Sequence, residues 1–409
     1  VSSVHEPAEP GTAPDSADSA PDTLTFPEPR AAGCPFDPPP VYRHPARRVT
    51  LFDGLSCWAL SDYQQVRAVL SDRRFSADAR NTGFPFLLPG RREFIGKQPS
   101  FLRLDDPEHQ RLRRMMTGDF LVKRIEQLRP RIQRIVDRAI DAMTAKGAPA
   151  DLVTDYAFPV PSLVICELLG VPYGDHEYFQ GLARRMLDAT ATPEQVAEAL
   201  DALTDYMAEL AASKQGEPDG IVARLAARED LTPREVASNS LLLLLAGHET
   251  TANMTALSVL ALLHNPDQLA RLRSEPELVP GAVEELLRYL TIVHAGIPRV
   301  ALEDVDLGDG VQVGAGEGVF LAIGSANRDE ELFGDAERLD VGRDARRHLA
   351  FGFGVHQCLG QPLARVELQI ALETLLRRLP ELRLAVPFEE VPFKNEAFIY
   401  GLRELPVAW

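Results

Sequence analysis

One cysteine near the end of the chain, Cys358, constrains the fold more than any other residue. It lies in Phe351-Gly352-Phe-Gly354-Val-His356-Gln-Cys358-Leu-Gly360. The glycines before it let the backbone fold tightly, and Gly360 lets it turn immediately afterwards. From Gln361 to Leu379 the pattern is helical, with Leu363, Val366, Ile370, Leu372, Leu375 and Leu376 as core positions. Cys358 is therefore expected in a tight loop at a helix N-terminus, where free N–H groups and the helix dipole favour a thiolate. Such a thiolate suits a soft or borderline metal, haem iron among them. A buried structural cysteine is the plain alternative. A zinc site through His356 and Cys358 has no C-x-x-C or H-x-x-x-H partner to complete it.

Composition narrows the class. The chain has 409 residues, enough for a large core, and no linker after about residue 30 divides it. Residues 1–29 are rich in Ala, Ser, Pro, Asp and Glu, without a basic start or apolar stretch. That argues against a secretory signal and for a disordered tail ahead of one unit spanning residues 30–409. Cys34, Cys57, Cys166 and Cys358 lie far apart, as expected in a reducing compartment rather than a disulfide framework. No apolar run approaches the roughly 20 residues needed to span a bilayer. A formal charge of -17 argues against nucleic acid or anionic membranes as partners. A soluble, cytoplasmic protein without a membrane anchor is expected.

The secondary-structure pattern is mainly helical with small β-sheets. Arg48 to Phe52 and Cys57 to Leu60 read as a hairpin around Asp53-Gly54, and Ser61-x-x-Gln64 as a capping box. Val311 to Val313 and Val319 to Ile323 read as strands around a Gly-rich turn. Thr232-Pro233-Arg-Glu235 opens a long helix that continues to about His264. Its flanks are apolar, yet its middle reads Ala246-Gly247-His248-Glu249-Thr250-Thr251. Burying Glu249 demands water, a hydrogen bond or a function. Gly247 is expected to open a groove, and Thr250 to bond back to the carbonyl of Ala246. An acid and an alcohol beside a groove form a proton-delivery pair; a solvated helix face is the alternative.

The spacing Phe-x-x-Gly-x-x-x-Cys-x-Gly resembles the haem-binding loop of the cytochromes P450, and Ala246 to Thr250 resembles that family's oxygen-activating motif. The resemblance implies a cytochrome P450 fold, one large haem-thiolate unit, with Phe351, Gly352 and Gly360 shaping the loop and Cys358 as the iron ligand. Without a C-x-x-C-H motif, haem b would be held non-covalently. It also implies that O2 binds beside Ala246 and Gly247, that Thr250 stabilises the activated oxygen and that Glu249 gates protons. Glu285-Leu-Leu-Arg288 is similar to the family's structural Glu-x-x-Arg, with Arg338 as the implied third member, although Ala336 stands where a Pro is usual. Asp106 to Arg113 resembles the helix that serves the haem propionates, giving His109 and Arg113; Arg299 and His356 match two further propionate partners. The stretches Pro159 to Tyr173, Ala246 to Thr251 and Phe351 to Gln361 look like those of actinomycete secondary-metabolism members, which include hydroxylases of macrolides, sterol-like compounds and vitamin D.

The resemblance further implies hydroxylation of a bulky, mostly apolar small molecule. Phe84, Phe86, Leu87, Leu88, Leu243, Val293, His294, Ala295, Ile297, Phe398 and Ile399 would line its pocket, His294 as polar anchor. Epoxidation, ring closure or methylenedioxy-bridge formation are alternative outcomes of the same chemistry, and a non-catalytic haem-thiolate binder is another class. No Gly-rich nucleotide fingerprint opens a βα unit, so electrons from NAD(P)H are expected through a separate ferredoxin and ferredoxin reductase. Arg111, Arg114, Lys123, Arg124 and Arg365 are the expected docking cations of a monomer.

Overall fold

The computed structural model describes residues 22–23, 28–31, 33–87, 100–187, 191–214 and 220–409. The helices that matter here are α1 (Tyr63–Ser71), α2 (Glu108–Thr117), α3 (Val122–Lys146), α4 (Pro159–Leu169), α5 (His176–Leu187), α6 (Pro193–Ser213), α7 (Pro233–His264), α8 (Val279–Leu290) and α9 (Gln361–Arg378). A sheet of six short strands flanks them. In chain order these are β1 (Asp22–Thr23), β2 (Arg47–Thr50), β3 (Ser56–Leu60), β4 (Phe75–Ser76), β5 (Ile297–Ala301) and β6 (Gly318–Leu321); their spatial order is β1-β2-β3-β6-β5-β4.

The long helix α7 organises the core. Its start carries the expected capping box: Thr232 accepts from the Glu235 backbone N–H, and the Glu235 carboxylate accepts from that of Thr232. Leucines on nearly every side leave it no solvent face, and a helix apolar all round must be buried. It is buried along most of its length, packed by α4, α6, α8 and α9. Helix α3 shows the other pattern, one stripe of Ile125, Ile132, Ile135, Val136, Ala139, Ile140 and Met143 facing the core. Helix α9 starts at Gln361 as expected and ends at Arg378.

Several details differ from the sequence reading. The cap of α1 is Asp62, which accepts from the Gln65 backbone N–H at 2.8 Å, while Ser61 donates to the His44 carbonyl. Asp62 wins because the helix begins one residue later, at Tyr63. The hairpin forms, with Arg48 opposite Trp58 and Gly54 at φ +80°, where glycine carries no Cβ penalty. The expected strands at Val311–Val313 and Val319–Ile323 do not pair with each other. Gln312–Val313 pairs with Val305–Asp306, whereas β6 runs parallel to β3 and antiparallel to β5. Within the segment expected to be a disordered tail, β1 pairs parallel with β2; most of residues 1–29 lie outside the described residues. Among the described residues no helix is long and apolar enough to cross a membrane.

Candidate active site

The cysteine loop is held from both sides. Gly352 and Gly354 adopt φ +69° and +71°, and a Cβ on Gly354 would meet the Leu70 carbonyl oxygen at 2.3 Å. Gly360 differs from expectation. Its φ of −79° is open to any residue, and a Cβ there would only touch the Cys358 sulfur at 4.0 Å. What Gly360 supplies is its backbone N–H, which with that of Gln361 faces the thiol. The Cys358 N–H donates to the Phe351 carbonyl at 2.8 Å, closing the loop.

The four cysteines now separate by environment. Burial pushes the Cys57 and Cys166 thiols up to about 12, which marks ordinary core thiols. Cys34 and Cys358 present accessible surface. Surrounding protein raises the Cys358 thiol as well, but the Gly360 and Gln361 N–H groups and the Arg113 and Arg365 guanidiniums pull it down. It is an accessible sulfur within the chain's walls, at a helix N-terminus between two cations.

A second cluster gathers beside it. The His109 and His356 rings lie 4.1 Å apart. Arg113 donates to the Gln357 carbonyl at 2.5 Å. Arg299 is 5 % exposed, and burial, then the neighbouring Arg103, lower its pKa to about 9. His356 is driven down to about 2 by burial first, then by Arg299, His109, Arg113 and Arg103. Asp106 accepts from His109 Nδ1 at 3.0 Å, but the buried Nε2 has no hydrogen-bond partner among the described residues. Three guanidiniums and two imidazoles thus converge with few acids between them, an arrangement that a dianion would relieve. Arg103, at the end of the turn Phe101–Arg103, is absent from the sequence reading. Its position in the cluster depends on tertiary folding, and no motif marks it.

The middle of α7 supplies the third component. Ala246 is exposed and Thr250 half-buried, one turn apart on an otherwise buried helix, so this strip faces a space inside the molecule. Thr250 Oγ1 donates to the Ala246 carbonyl at 2.5 Å. Gly247, expected to open a groove through its missing side chain, is filled from the neighbouring helix. A Cβ there would meet Ile165 Cδ1 at 2.8 Å, so the glycine admits α4 close against α7 instead. Glu249 is 6 % exposed, and its partners were invisible in the sequence. Oε1 lies 3.5 Å from Lys394 Nζ and 3.3 Å from Asn253 Nδ2, and Lys394 donates to Asn253 at 3.2 Å. Oε2 has no partner among the described residues.

Glu285 and Arg288 form a fully buried bidentate pair at 2.7 and 2.8 Å. The third member is Arg343, whose Nε donates to Glu285 at 3.2 Å, and not Arg338. The Arg338 side chain is 66 % exposed and pairs with Asp267 at 3.7 Å; only its carbonyl meets Arg288 and Arg343. The turn after Asp335 carries the Arg338 side chain outward and brings Arg343 back under the pair.

The expected substrate residues do not form one wall. Phe84 and Phe86 pack edge to face at 5.3 Å in a small core with Ala79 and Val300. Leu87 and Ala295 belong to a second core with Tyr42 and Phe320, against which Phe398 packs. Leu243 lies in the main core, and Ile297 packs on the core under α1. Val293 and Ile399 do meet, as an antiparallel bridge. Leu88 lies outside the described residues. His294 is 3 % exposed and lines a cleft with Arg30, Pro38, Pro39 and Tyr42, its ring 5.1 Å from Tyr400. Burial, then Arg30, push its pKa down to about 3, so it is a neutral imidazole there rather than a charged anchor. Of the expected docking cations, Arg111, Arg124 and Arg365 are bonded to Glu235, Asp119 and Glu284. Arg114 and Lys123 are exposed, the latter beside exposed Leu121 and Val122.

An accessible thiol at a helix N-terminus, a cationic cluster beside it and an accessible strip on the central helix fit a planar, dianionic, iron-bearing group, and they define a haem-thiolate protein. Comparison with known proteins names the kind. Residues 175–403 match the family model described as Cytochrome P450. The chain is 62 % identical over 395 residues to Cytochrome P450-SU2 of Streptomyces griseolus, covering 95 % of this chain and 98 % of that protein. It is 45 % identical over 400 residues to the Vitamin D3 dihydroxylase of the same organism, covering 95 % and 97 %. The mycinamicin VIII C21 methyl hydroxylase MycCI of Micromonospora griseorubida has a crystal structure with TM-score 0.88 at 39 % identity, covering 94 % of this chain and 100 % of that one. The chain belongs to the cytochrome P450 family and is a haem-thiolate monooxygenase of the actinomycete type that uses O2.

Proposed function

We propose that this protein hydroxylates a bulky, mostly apolar natural product of macrolide, polyketide, terpenoid or steroid-like class. Haem b, bound through the Cys358 thiolate, would supply the O–O cleavage and C–H oxidation chemistry. The convergence of Arg103, His109, Arg113, Arg299 and His356 beside that thiol carries the reading, because it offers a dianion charge-assisted hydrogen bonds from several sides. Phe351 and Gly352 shape the loop, and the Gly360 and Gln361 N–H groups stabilise the thiolate.

The chain's own part is to exclude water, orient the substrate and move protons. Thr250, on the accessible face of α7, would deliver a proton on that face through Oγ1 after leaving its bond to Ala246. Glu249, with one oxygen held by Asn253 and Lys394 and the other unengaged among the described residues, would resupply Thr250. Relatives acting on vitamin D3 and mycinamicin VIII support the substrate class. The bridged pair Val293 and Ile399, with Phe398, is the favoured substrate-facing segment.

Electrons would come from NAD(P)H through a ferredoxin reductase and an acidic ferredoxin docking near Arg114 and Lys123, with this protein acting as a cytoplasmic monomer. Titration of the purified ferric protein with macrolides, steroids, terpenoids and fatty acids tests the substrate class. A low-to-high-spin Soret shift with members of the first three, followed by products one oxygen heavier, is the expected result. Shifts confined to fatty acids would refute it.

A further inference from the structure

The proton-delivery strip and the cationic cluster do not account for every buried charged assembly among the described residues. One that reaches the cysteine loop is centred on Glu284 of α8, which is 7 % exposed. Its carboxylate accepts two bonds from Arg365 of α9, from Nε at 2.7 Å and from NH2 at 3.0 Å. The second oxygen also meets His348 Nε2 at 3.2 Å. His348 Nδ1 accepts from the Ala350 backbone N–H at 3.1 Å, so its proton sits on Nε2 and points at Glu284. These partners pull the Glu284 carboxyl down to about 2 against the opposing effect of burial, and it is ionised throughout the neutral range.

Arg365 reaches the loop by two routes. NH1 donates to the Gln361 side chain at 2.7 Å, and Gln361 is the residue whose backbone N–H faces Cys358. The guanidinium also lies 4.6 Å from the centroid of the Phe351 ring, and the Phe351 carbonyl receives the Cys358 N–H. The fork on Glu284 leaves Arg365 one orientation, with its positive charge next to the loop. A pair serving only to join α8 to α9 would need neither the stack on Phe351 nor the bond to Gln361.

We infer that Glu284 is a positioning residue that clamps Arg365 against the cysteine loop, and that the two opposed charges together set how readily iron bound at Cys358 accepts an electron. The inference rests on the reading of Cys358 as the iron ligand. Its sign follows from electrostatics: reduction adds negative charge, so the Arg365 cation favours it and the Glu284 carboxylate opposes it.

The test is an anaerobic equilibrium redox titration of the substrate-free holoprotein, followed by the Soret band. Glu284→Gln keeps the shape and removes the anion. It should raise the reduction equilibrium constant about ten-fold, or about 59 mV for one electron. Arg365→Gln should lower it by a similar factor, and the double variant should return to within about two-fold of the wild type. Arg365→Lys keeps the charge and should stay much closer to the wild type than Arg365→Gln. Shifts of Glu284→Gln and Arg365→Gln in the same direction would mark a merely structural lesion and overturn the inference. Where Glu284→Gln does not hold haem, the Arg365 variants decide, and equal falls in the lysine and glutamine variants would overturn it. Failure of the ligand reading has a different signature. Wild-type protein would then lack the thiolate-type ferrous–CO spectrum, and the inference would fall with it.

Discussion

Replacing Arg343 and Arg338 separately by methionine tests the buried charge network where structure and sequence part company. Arg343 is 13 % exposed in its side chain and donates to the Glu285 carboxylate at 3.2 Å. It also donates to the Asp335 and Arg338 carbonyls at 2.8 and 3.1 Å and to the Phe333 carbonyl. Methionine would fill part of the volume and leave those acceptors without their donor. Glu285 would keep Arg288 and the Asp340 backbone N–H, so the carboxylate is not stranded. The loss therefore belongs at the low end of the cost of breaking a buried charged network, about 3 kcal/mol. Arg338 reaches Asp267 at 3.7 Å across two side chains that are 66 % and 64 % exposed. Such a pair is worth about 0–1 kcal/mol. Against a total stability of about 5–15 kcal/mol, the first change is conspicuous and the second nearly silent. Urea unfolding of the holoproteins, followed by far-UV circular dichroism and by loss of the Soret band, measures both. An Arg338→Met variant as destabilised as Arg343→Met would refute the assignment.

Thr250→Ala should uncouple NAD(P)H oxidation from product and release peroxide with a surrogate ferredoxin; retained coupling would remove Thr250 from proton delivery. His294, neutral in the fold with its pKa lowered from 6.5 to about 3, binds a proton in the unfolded chain first. Its contribution is therefore complete above pH 6.5 and falls by about 1.4 kcal/mol per unit below it, down to about pH 3. Urea midpoints at pH 7 and pH 5 should show the loss, and His294→Gln should flatten the difference. Gly354→Ala places a Cβ 2.3 Å from the Leu70 carbonyl at φ +71°, where neither backbone can yield. It should cost about 1–3 kcal/mol from the strained dihedral alone. Haem retention on a desalting column should fall with it, and unchanged retention would count against the loop geometry.

What sequence revealed depended on how local each feature is. The capping box at Thr232 and the back-bond from Thr250 to Ala246 are set by residues within four positions of one another, and both appear as expected, while the cysteine loop closes over seven positions, from Phe351 to Cys358, with Gly360 in a conformation the sequence did not suggest. Glu285 and Arg288 are likewise one turn apart. Contacts across long loops were not legible. Arg103 joins His356, Lys394 finds Glu249, and Arg343 displaces Arg338 only because distant segments pack together. Gly247 was misread for the same reason, since its purpose is set by Ile165 on another helix. For the apolar substrate candidates sequence offers least, because a Phe or Leu in a core and one at a pocket wall look alike.

The crowding of Arg103, Arg113 and Arg299 around two imidazoles has a consequence for cargo selection. Burial first, and then the neighbouring cations, lower the pKa values of Arg299 and His356, so an anion entering this poorly solvated corner would relieve both costs. A porphyrin whose carboxylates are esterified has the same outline and the same iron, yet it leaves those costs in place. With the carboxylates received there as proposed, uptake would be selected by charge at the rim as well as by the bond to sulfur at the centre.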